Sequence, residues 1–578
     1  MYWVDKSMFI PDLEQTRYAF LVRPRRFGKS LFTAMLHAYY DVNYDSRFDE
    51  LFTGTWIHAN PTKDRGKYLC LRFDFSGINK DVADAQFAFN KYCRGRMDTF
   101  LWEYEKYLPF DSIETIKNEQ ACHDQLDILE RELAKTDYKL YIFIDEYDNY
   151  TNTLLADSES ELYKILTQGK GFFKNFFTNL KKMTSGNSNV LQRLYITGVS
   201  PITMDDVSSG FNIGTNISLA PKFSSMLGFT EKDISEMIDY YRSTGRLLIN
   251  KDEMMFELKK WYDNYRFSEK AKESVFNSTG ILSVMFFSMD CDSLPRDIID
   301  ENLRMDSSKL KQLVYQGTNL NGNFDVLSEI INIGGISSNV HKSFPFKMLK
   351  ETENYISLLY FLGFLTFSGE NFYTDPYLCV PNETIKHLVY DYFRSIMKES
   401  LPVNNWSYEL NKLSRNMAFQ NDYKSILDYI AKLINHQTSI RDFKEGEDVV
   451  KTFHNVYLRV NDIYYTKTEY EMNKGYADIV LFPNFTKYPA IKYAYLIEVK
   501  YIKRSTSSAK NKRGMVRGGQ SKLNEIIDEA IKQLNEYSKD HPSRKEYHLE
   551  PFGPVHLTKL IVVYQGWEMV YCEEIIDN

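Results

Sequence analysis

A short apolar run, Tyr18-Ala-Phe-Leu-Val22, breaks into a basic turn, Arg23-Pro-Arg-Arg-Phe-Gly28-Lys29-Ser30, and continues as Leu31-Phe-Thr-Ala-Met-Leu-His-Ala-Tyr-Tyr40, which suits a helix. This order of strand, loop and helix constrains the fold more than any other stretch of the chain. A helix N-terminus presents unpaired backbone N–H groups and the positive end of its dipole, so a loop entering it from a buried strand seats an anion. The residue types supply the rest: Gly28 lets the backbone approach closely, Lys29 reaches the terminal phosphates as a point charge, and the Ser30 hydroxyl serves a magnesium ion. Arg26 and Phe27 are counted with them as nucleotide-binding residues. The pattern GxxxxGK[ST] is incomplete, because Arg23 stands at its first glycine. For the octapeptide alone, an ordinary basic turn before a helix is the plainer alternative.

A second element weighs against that alternative. Leu140-Tyr-Ile-Phe-Ile144 is a continuous apolar run of the buried-strand kind, and it ends in Asp145-Glu146. In combination with Lys29 and Ser30, Asp145 is expected to hold magnesium through water and Glu146 to polarise the attacking water as a general base. Tyr68 to Phe75 and Gln192 to Gly198 supply two further strands, and Thr197, a polar residue at the end of the latter, is the sensor candidate. Helix-rich stretches between these runs provide crossovers, so an α/β fold with a doubly wound parallel sheet and ligand at its C-terminal edge is expected.

Val4-Asp5-Lys6-Ser7, the loop from Arg23 to Ser30, Ile144-Asp-Glu-Tyr-Asp148 and Thr197-Gly-Val-Ser-Pro201 together resemble the AAA-ATPase-like family of bacterial genomes. The resemblance implies a P-loop NTPase sheet and ATP with Mg2+, and it accommodates an arginine where the first glycine would stand. It continues to Leu227-Gly-Phe-Thr-Glu231, which looks like the start of that family's helical lid. Beyond, Ile234, Met237, Ile238 and Tyr241, then Met255, Leu258 and Trp261, recur at helical spacing. Residues 358 to 398 read as a helix–hairpin–helix unit of winged-helix-like type. The expected domains are 1–229, 230–402 and 403–578.

Near the far end, Gly475-Tyr-Ala-Asp478 leads into Ile479-Val-Leu-Phe482, and after a turn at Pro483-Asn484 comes Tyr493-Ala-Tyr-Leu-Ile-Glu498-Val-Lys500. Twenty residues separate Asp478 from Glu498, enough for a hairpin that returns the second carboxylate beside the first. Such a pair can bind one or two magnesium ions, and Glu498 and Lys500 share one face of a strand whose Val499 points the other way. An exposed strand face bearing a Glu and a Lys is the common alternative. The segment resembles the PD-(D/E)XK nuclease superfamily, which implies a C-terminal α/β nuclease-like domain with Asp478, Glu498 and Lys500 as its catalytic set. The same resemblance offers Glu471, preferred over Glu469, as a further acidic metal ligand. It also offers Gln533 as the glutamine of a later helix, where a solvent-facing glutamine serves nearly as well. Lys500, Lys503, Arg504, Lys510, Lys512, Arg513, Arg517 and Lys522 precede Glu525 without an intervening acid, which suits either phosphate neutralisation or a solvated loop.

A net charge of −7 over 578 residues excludes a globally basic nucleic-acid coat while leaving room for a local basic channel. The six cysteines show no CxxC pair, the N-terminus lacks a secretory pattern, and the longest apolar run, Ile356 to Phe367, falls short of a bilayer span. A cytoplasmic protein with no membrane partner is therefore expected. Its partners are ATP and DNA, in preference to RNA, and a homo-oligomer is compatible with the sequence. The cofactors are ATP and Mg2+, with Mn2+ acceptable at the nuclease-like site. The function expected is nucleotide-controlled, metal-dependent cleavage of DNA. An ATP-driven regulatory or defence switch whose C-terminal module binds nucleic acid or protein without cutting is the rival.

Overall fold

The computed structural model describes residues 2–78, 85–149, 171–185, 189–202, 213–295, 323–372, 375–397, 405–440, 446–472, 475–485, 487–503, 519–537 and 555–576. Two compact units emerge, one of Met1–Asn323 with Ser337–Lys386 and one of Phe324–Ile336 with His387–Asn578.

In the first unit, β1 (Tyr18–Val22), β2 (Tyr68–Asp74), β3 (Lys139–Asp145), β4 (Leu191–Gly198) and β5 (Thr215–Asn216) form a parallel sheet in the order β2-β3-β4-β1-β5. Every residue of β3 from Leu140 to Asp145 is buried, on both side-chain parities, as a strand covered on both faces requires. Because all strands run the same way, Val22, Asp74, Asp145 and Gly198 finish at one edge of the sheet, where doubly wound folds bind ligand. The expected parallel sheet is present.

That edge is braced by its own turns. Asp148 accepts the N–H groups of Val199 at 3.1 Å and Ser200 at 2.7 Å, Tyr147 N–H donates to the Thr197 carbonyl at 3.2 Å, and the Tyr147 hydroxyl donates to the Ser200 carbonyl. A β-carbon at Gly198 would run into the Tyr147 ring and the Asp148 carboxylate, so only glycine fits there. Asp5 plays a similar local part, accepting from Ser7 N–H at 2.9 Å and Trp56 N–H at 2.6 Å.

Helix α1 (Lys29–Tyr40) follows the loop directly. Helix α2 (Glu231–Ser243) begins with a capping box in which Thr230 and Asp233 satisfy each other's backbone N–H groups, and Lys6 pairs with Asp233 at 2.7 Å. Asn250 and Asn277 cap α3 (Lys251–Tyr262) and α4 (Ser278–Cys291). A helix at Thr352–Phe361, the antiparallel hairpin of β6 (Thr366–Phe372) and β7 (Asp375–Cys379), and a helix at Glu383–Met397 follow, giving the helical middle and the helix–hairpin–helix order read from the sequence.

Arg23, at the missing glycine, is fully buried. Its guanidinium donates to the carbonyls of Val22 at 3.0 Å, Ser218 at 2.5 Å and Phe223 at 3.1 Å, and stacks 4.3 Å from the Phe267 ring centroid. Burial pulls its pKa down to about 10, so it stays charged near neutrality. The residue is therefore a strut between the strand end, residues 218–223 and Phe267.

In the second unit, β8 (Tyr464–Met472), β9 (Gly475–Pro483), β10 (Tyr493–Ile502), β11 (His556–Gln565) and β12 (Glu568–Glu574) form a mixed sheet in the order β12-β11-β10-β9-β8. Only β10 and β11 run parallel. Helix α6 (Gly519–Tyr537) packs Ala530, Leu534 and Tyr537 onto Ala477, Val480, Leu496, Ile561 and Val563. Helix α5 (Glu447–Leu458), buried from Val449 to Leu458, lies against β8, β9 and β10. A helix buried on all sides belongs to the middle of a layered domain.

Restoring the pattern with Arg23→Gly is expected to destabilise the protein by at least about 3 kcal/mol, since three buried carbonyls lose their donor and Phe267 its partner. Chemical denaturation measures this, and unchanged or increased stability would contradict the strut.

Candidate functional site

Two clusters of buried charge stand out, one in each unit. In the first, Gly28 adopts φ 90°, a left-handed conformation that glycine takes without strain, and provides no side chain to cap α1. The first-turn N–H groups of the helix are thereby kept for an anion. Arg26 is also left-handed, at φ 69°, and its carbonyl accepts from both Thr279 N–H and Thr279 Oγ1 at 3.3 Å. Phe27 packs edge-on against Tyr265 and Phe267, with ring centroids 4.8 and 5.1 Å away, while its carbonyl accepts Gly228 N–H at 3.0 Å. Arg26 and Phe27 thus anchor the loop to residues 228–279.

Lys29 Nζ donates to the carbonyls of Arg23 at 3.0 Å and Pro24 at 2.9 Å. Burial lowers its pKa, and the carboxylates of Glu146, Asp145 and Asp148 oppose that shift. The exposed Ser30 hydroxyl hydrogen-bonds to Asp145, whose carboxyl is raised by burial, and Asp145 Oδ2 has no hydrogen-bond partner among the described residues. Arg72 stands 4.0 Å from that oxygen. A buried carboxylate oxygen left over beside a serine hydroxyl is the donor set a magnesium ion accompanying nucleotide would complete. Glu146, at φ 47°, is half-buried with a raised carboxyl, the cause being burial, against which Arg25 acts. Thr197 is fully buried with its hydroxyl unpartnered among the described residues. Sequence reasoning missed Asp74, opposite Asp145 in the β2–β3 register, and Asp148 with its two backbone N–H groups.

In the second cluster the register pairs Ile479 with Ile497, so Asp478 falls directly opposite Glu498 across β9 and β10. Asp478 Oδ2 accepts Val499 N–H at 2.8 Å, and Lys500 Nζ lies 2.7 Å from Glu498 Oε1. Glu498 is only 2% exposed, and its Oε2 has no hydrogen-bond partner among the described residues. Burial, then the neighbouring Asp478, push its carboxyl up to about 7, with Lys500 acting against them. One unpartnered oxygen beside a second buried carboxylate is what a divalent cation would satisfy, so the residues present fit a metal.

One preference drawn from sequence shifts here. Glu471 is exposed and stands outside the cluster, whereas Glu469 lies 3.4 Å from Lys451, which itself pairs with Asp478 at 2.6 Å. Glu469 has φ 44°, a left-handed kink at the point where β8 faces Asp478, and that kink sets it apart from the alternating face it would share with Glu471. Gln533 holds its side-chain oxygen buried and unpartnered among the described residues. One turn later on α6, Tyr537 meets the field of Glu498, Lys500 and Asp478 and packs on Gly475, where a β-carbon would come within 2.8 Å of its hydroxyl. Tyr537, Lys451 and Glu447 were all missed by the sequence reading. Arg504, Lys510, Lys512, Arg513 and Arg517 lie outside the described residues.

The raised Glu498 carboxyl gives a signed pH dependence. Between its ordinary 4.5 and about 7 the folded chain binds a proton that the unfolded chain has released, so the stabilising effect of that proton is lost as pH rises through this window. In metal-free buffer the denaturation midpoint of the wild type is expected to fall relative to that of Glu498→Gln between pH 5 and 8. Parallel midpoints would contradict the assignment.

Residues 1–208 match the family model described as a predicted AAA-ATPase, and residues 445–574 match that of the PD-(D/E)XK nuclease superfamily. An uncharacterized protein in the vnfD 5′ region of Azotobacter chroococcum mcd 1 is 25% identical over 278 residues, 48% of this chain and 47% of that one. The chain therefore spans about half the length of this curated relative. No helix among the described residues is long and apolar enough to cross a membrane. The two matches fall on the two charge clusters: residues 1–208 are similar to a predicted AAA-ATPase and residues 445–574 to the PD-(D/E)XK nuclease superfamily.

Proposed function

We propose that this protein hydrolyses ATP at the Arg23–Ser30 loop and, under control of that nucleotide, cleaves DNA phosphodiesters at Asp478, Glu498 and Lys500 in a magnesium- or manganese-dependent reaction. The carrying observation is the placement of Asp478 opposite Glu498, with one buried Glu498 oxygen that has no hydrogen-bond partner among the described residues. A divalent ion, when bound, supplies Lewis acidity toward a phosphate oxygen and acidifies water. Asp478 and Glu498 would hold it. Lys500, on the same strand face as Glu498, neutralises phosphate charge and orients the attacking water. The eight basic residues from Lys500 to Lys522, free of acids, favour a polyanionic substrate held by its backbone.

At the other site, Lys29 would exchange its two loop carbonyls for phosphate oxygens, Ser30 and Asp145 would serve magnesium, and Glu146 would take the proton of the attacking water. Thr197 is placed at the end of β4, next to the loop strand, where a hydroxyl senses the terminal phosphate. The rival switch reading draws on Asp478, both of whose oxygens are already engaged, one by Lys451 and one by Val499 N–H.

Lys29→Ala is expected to cut ATP turnover by about a hundredfold or more, since a preorganised cation at the transferring phosphate is lost; a folded variant with undiminished turnover would remove the ATPase assignment. For the second site, the purified protein is incubated with linear DNA, circular DNA and RNA, in Mg2+ or Mn2+, with and without ATP. DNA cleavage is expected that disappears in Glu498→Ala and loses its response to ATP in Lys29→Ala. Cleavage persisting in Glu498→Ala would refute the site, and none under any condition would favour the switch.

A further inference from the structure

Three charged groups beyond Asp478, Glu498 and Lys500 converge on the same spot. Lys451 projects from α5, and its ammonium lies 2.6 Å from Asp478, 3.0 Å from Glu447 and 3.4 Å from Glu469. Glu447 is one helical turn earlier on the same helix, and Glu469 arrives from the left-handed kink of β8. A cage of three carboxylate groups around a buried point charge is the environment a small metal ion takes. Its neighbour is the 2% exposed Glu498, one oxygen on Lys500 and the other without a hydrogen-bond partner among the described residues.

We propose that Lys451 is a resident cation filling one of two adjacent cation positions in this cluster, so that the site takes a single divalent ion, held between Asp478 and Glu498. The inference rests on the nuclease-type reading of the site given above. Charge supports it: the carboxylates of Glu447, Glu469, Asp478 and Glu498 against the ammonium groups of Lys451 and Lys500 leave two negative charges, which one divalent ion neutralises, whereas without the Lys451 charge three remain and one ion leaves the cluster negative. Geometry supports it too. Asp478 gives one oxygen to Lys451 and the other to Val499 N–H, and each keeps a second lone pair for an ion on the Glu498 side. Burial disfavours the Lys451 ammonium, and the Asp478 and Glu447 carboxylates more than reverse that penalty. A lysine fixed on a buried helix holds its position whatever the ion concentration outside.

Manganese binding to the full-length chain without nucleotide, read by electron paramagnetic resonance or calorimetry, tests the proposal, with Glu498→Gln as the subtraction that assigns ions to this cluster. One Glu498-dependent Mn2+ is expected in the wild type and two in Lys451→Met, which keeps the unbranched stem one atom shorter and removes the charge. Two in the wild type, or still one in a folded Lys451→Met, would overturn the resident cation. Should Lys451→Met not fold, Glu469→Gln decides. Committed to Lys451, Glu469 acts on the ion only through its neighbours, and affinity is expected to stay within about a hundredfold of wild type, whereas a larger loss makes it a direct ligand and overturns the proposal. Absence of any Glu498-dependent ion in the wild type would instead sink the metal-site reading itself, and this inference with it.

Discussion

An ionised carboxylate taken out of water loses several kcal/mol of hydration that nearby cations or N–H groups must replace, and both sites of this molecule are shaped by that demand. Around Lys29 the replacement is distributed. Asp148 takes two backbone N–H groups, Asp145 takes the Ser30 hydroxyl, and the lysine rests on two carbonyls of its own loop. Around Glu498 it is concentrated in two ammonium groups sent in from α5 and from β10. In each cluster one buried carboxylate oxygen has no hydrogen-bond partner among the described residues, Asp145 Oδ2 and Glu498 Oε2. That shared deficit is why two unrelated sheets, one parallel and one mixed, both read as cation sites.

The loop shows how a departure from a motif is absorbed. A glycine at position 23 would let the chain turn freely; the arginine fixes the turn instead by handing its donors to carbonyls of the strand end and of residues 218–223. Phe27 adds an aromatic contact with Tyr265 and Phe267, and Gly363 packs its α-carbon so near Pro24 that a β-carbon would come within 2.9 Å. The Arg23–Ser30 loop is therefore held from outside by the residues that follow the sheet, rather than by its own glycines.

Much of this was legible in the sequence because it depends on local periodicity. An apolar run that stops in a charged residue, as at Ile144-Asp145 or Ile497-Glu498, marks both a strand and the edge where it finishes. The spacing of Asp478 and Glu498 carried the hairpin. What escaped is what periodicity does not encode. Glu469 and Glu471 share a face in any ideal strand, and only a left-handed residue separates them. Lys451 and Glu447 sit in a helix buried along most of its length, where a lysine looks like an ordinary solvated residue until the sheet beneath it is known. Arg23 was noted as an omission of glycine, and its burial depends on residues some two hundred positions away.

The opposition of Asp478 and Glu498 across β9 and β10 also limits how this protein can diverge. Successive side chains on a strand alternate between faces, so sliding one strand by a single residue would carry a carboxylate off the face it shares with Val480 and Leu496 onto the apolar face of Ile479, Leu481, Ile497 and Val499, and leave its partner behind. Insertions within the connection between Pro483 and Tyr493 leave that pairing untouched, whereas an odd-numbered deletion inside either strand abolishes it at a stroke. Lineages descending from this chain are thus expected to vary freely in the length of that connection while keeping the phase of the two strands it joins.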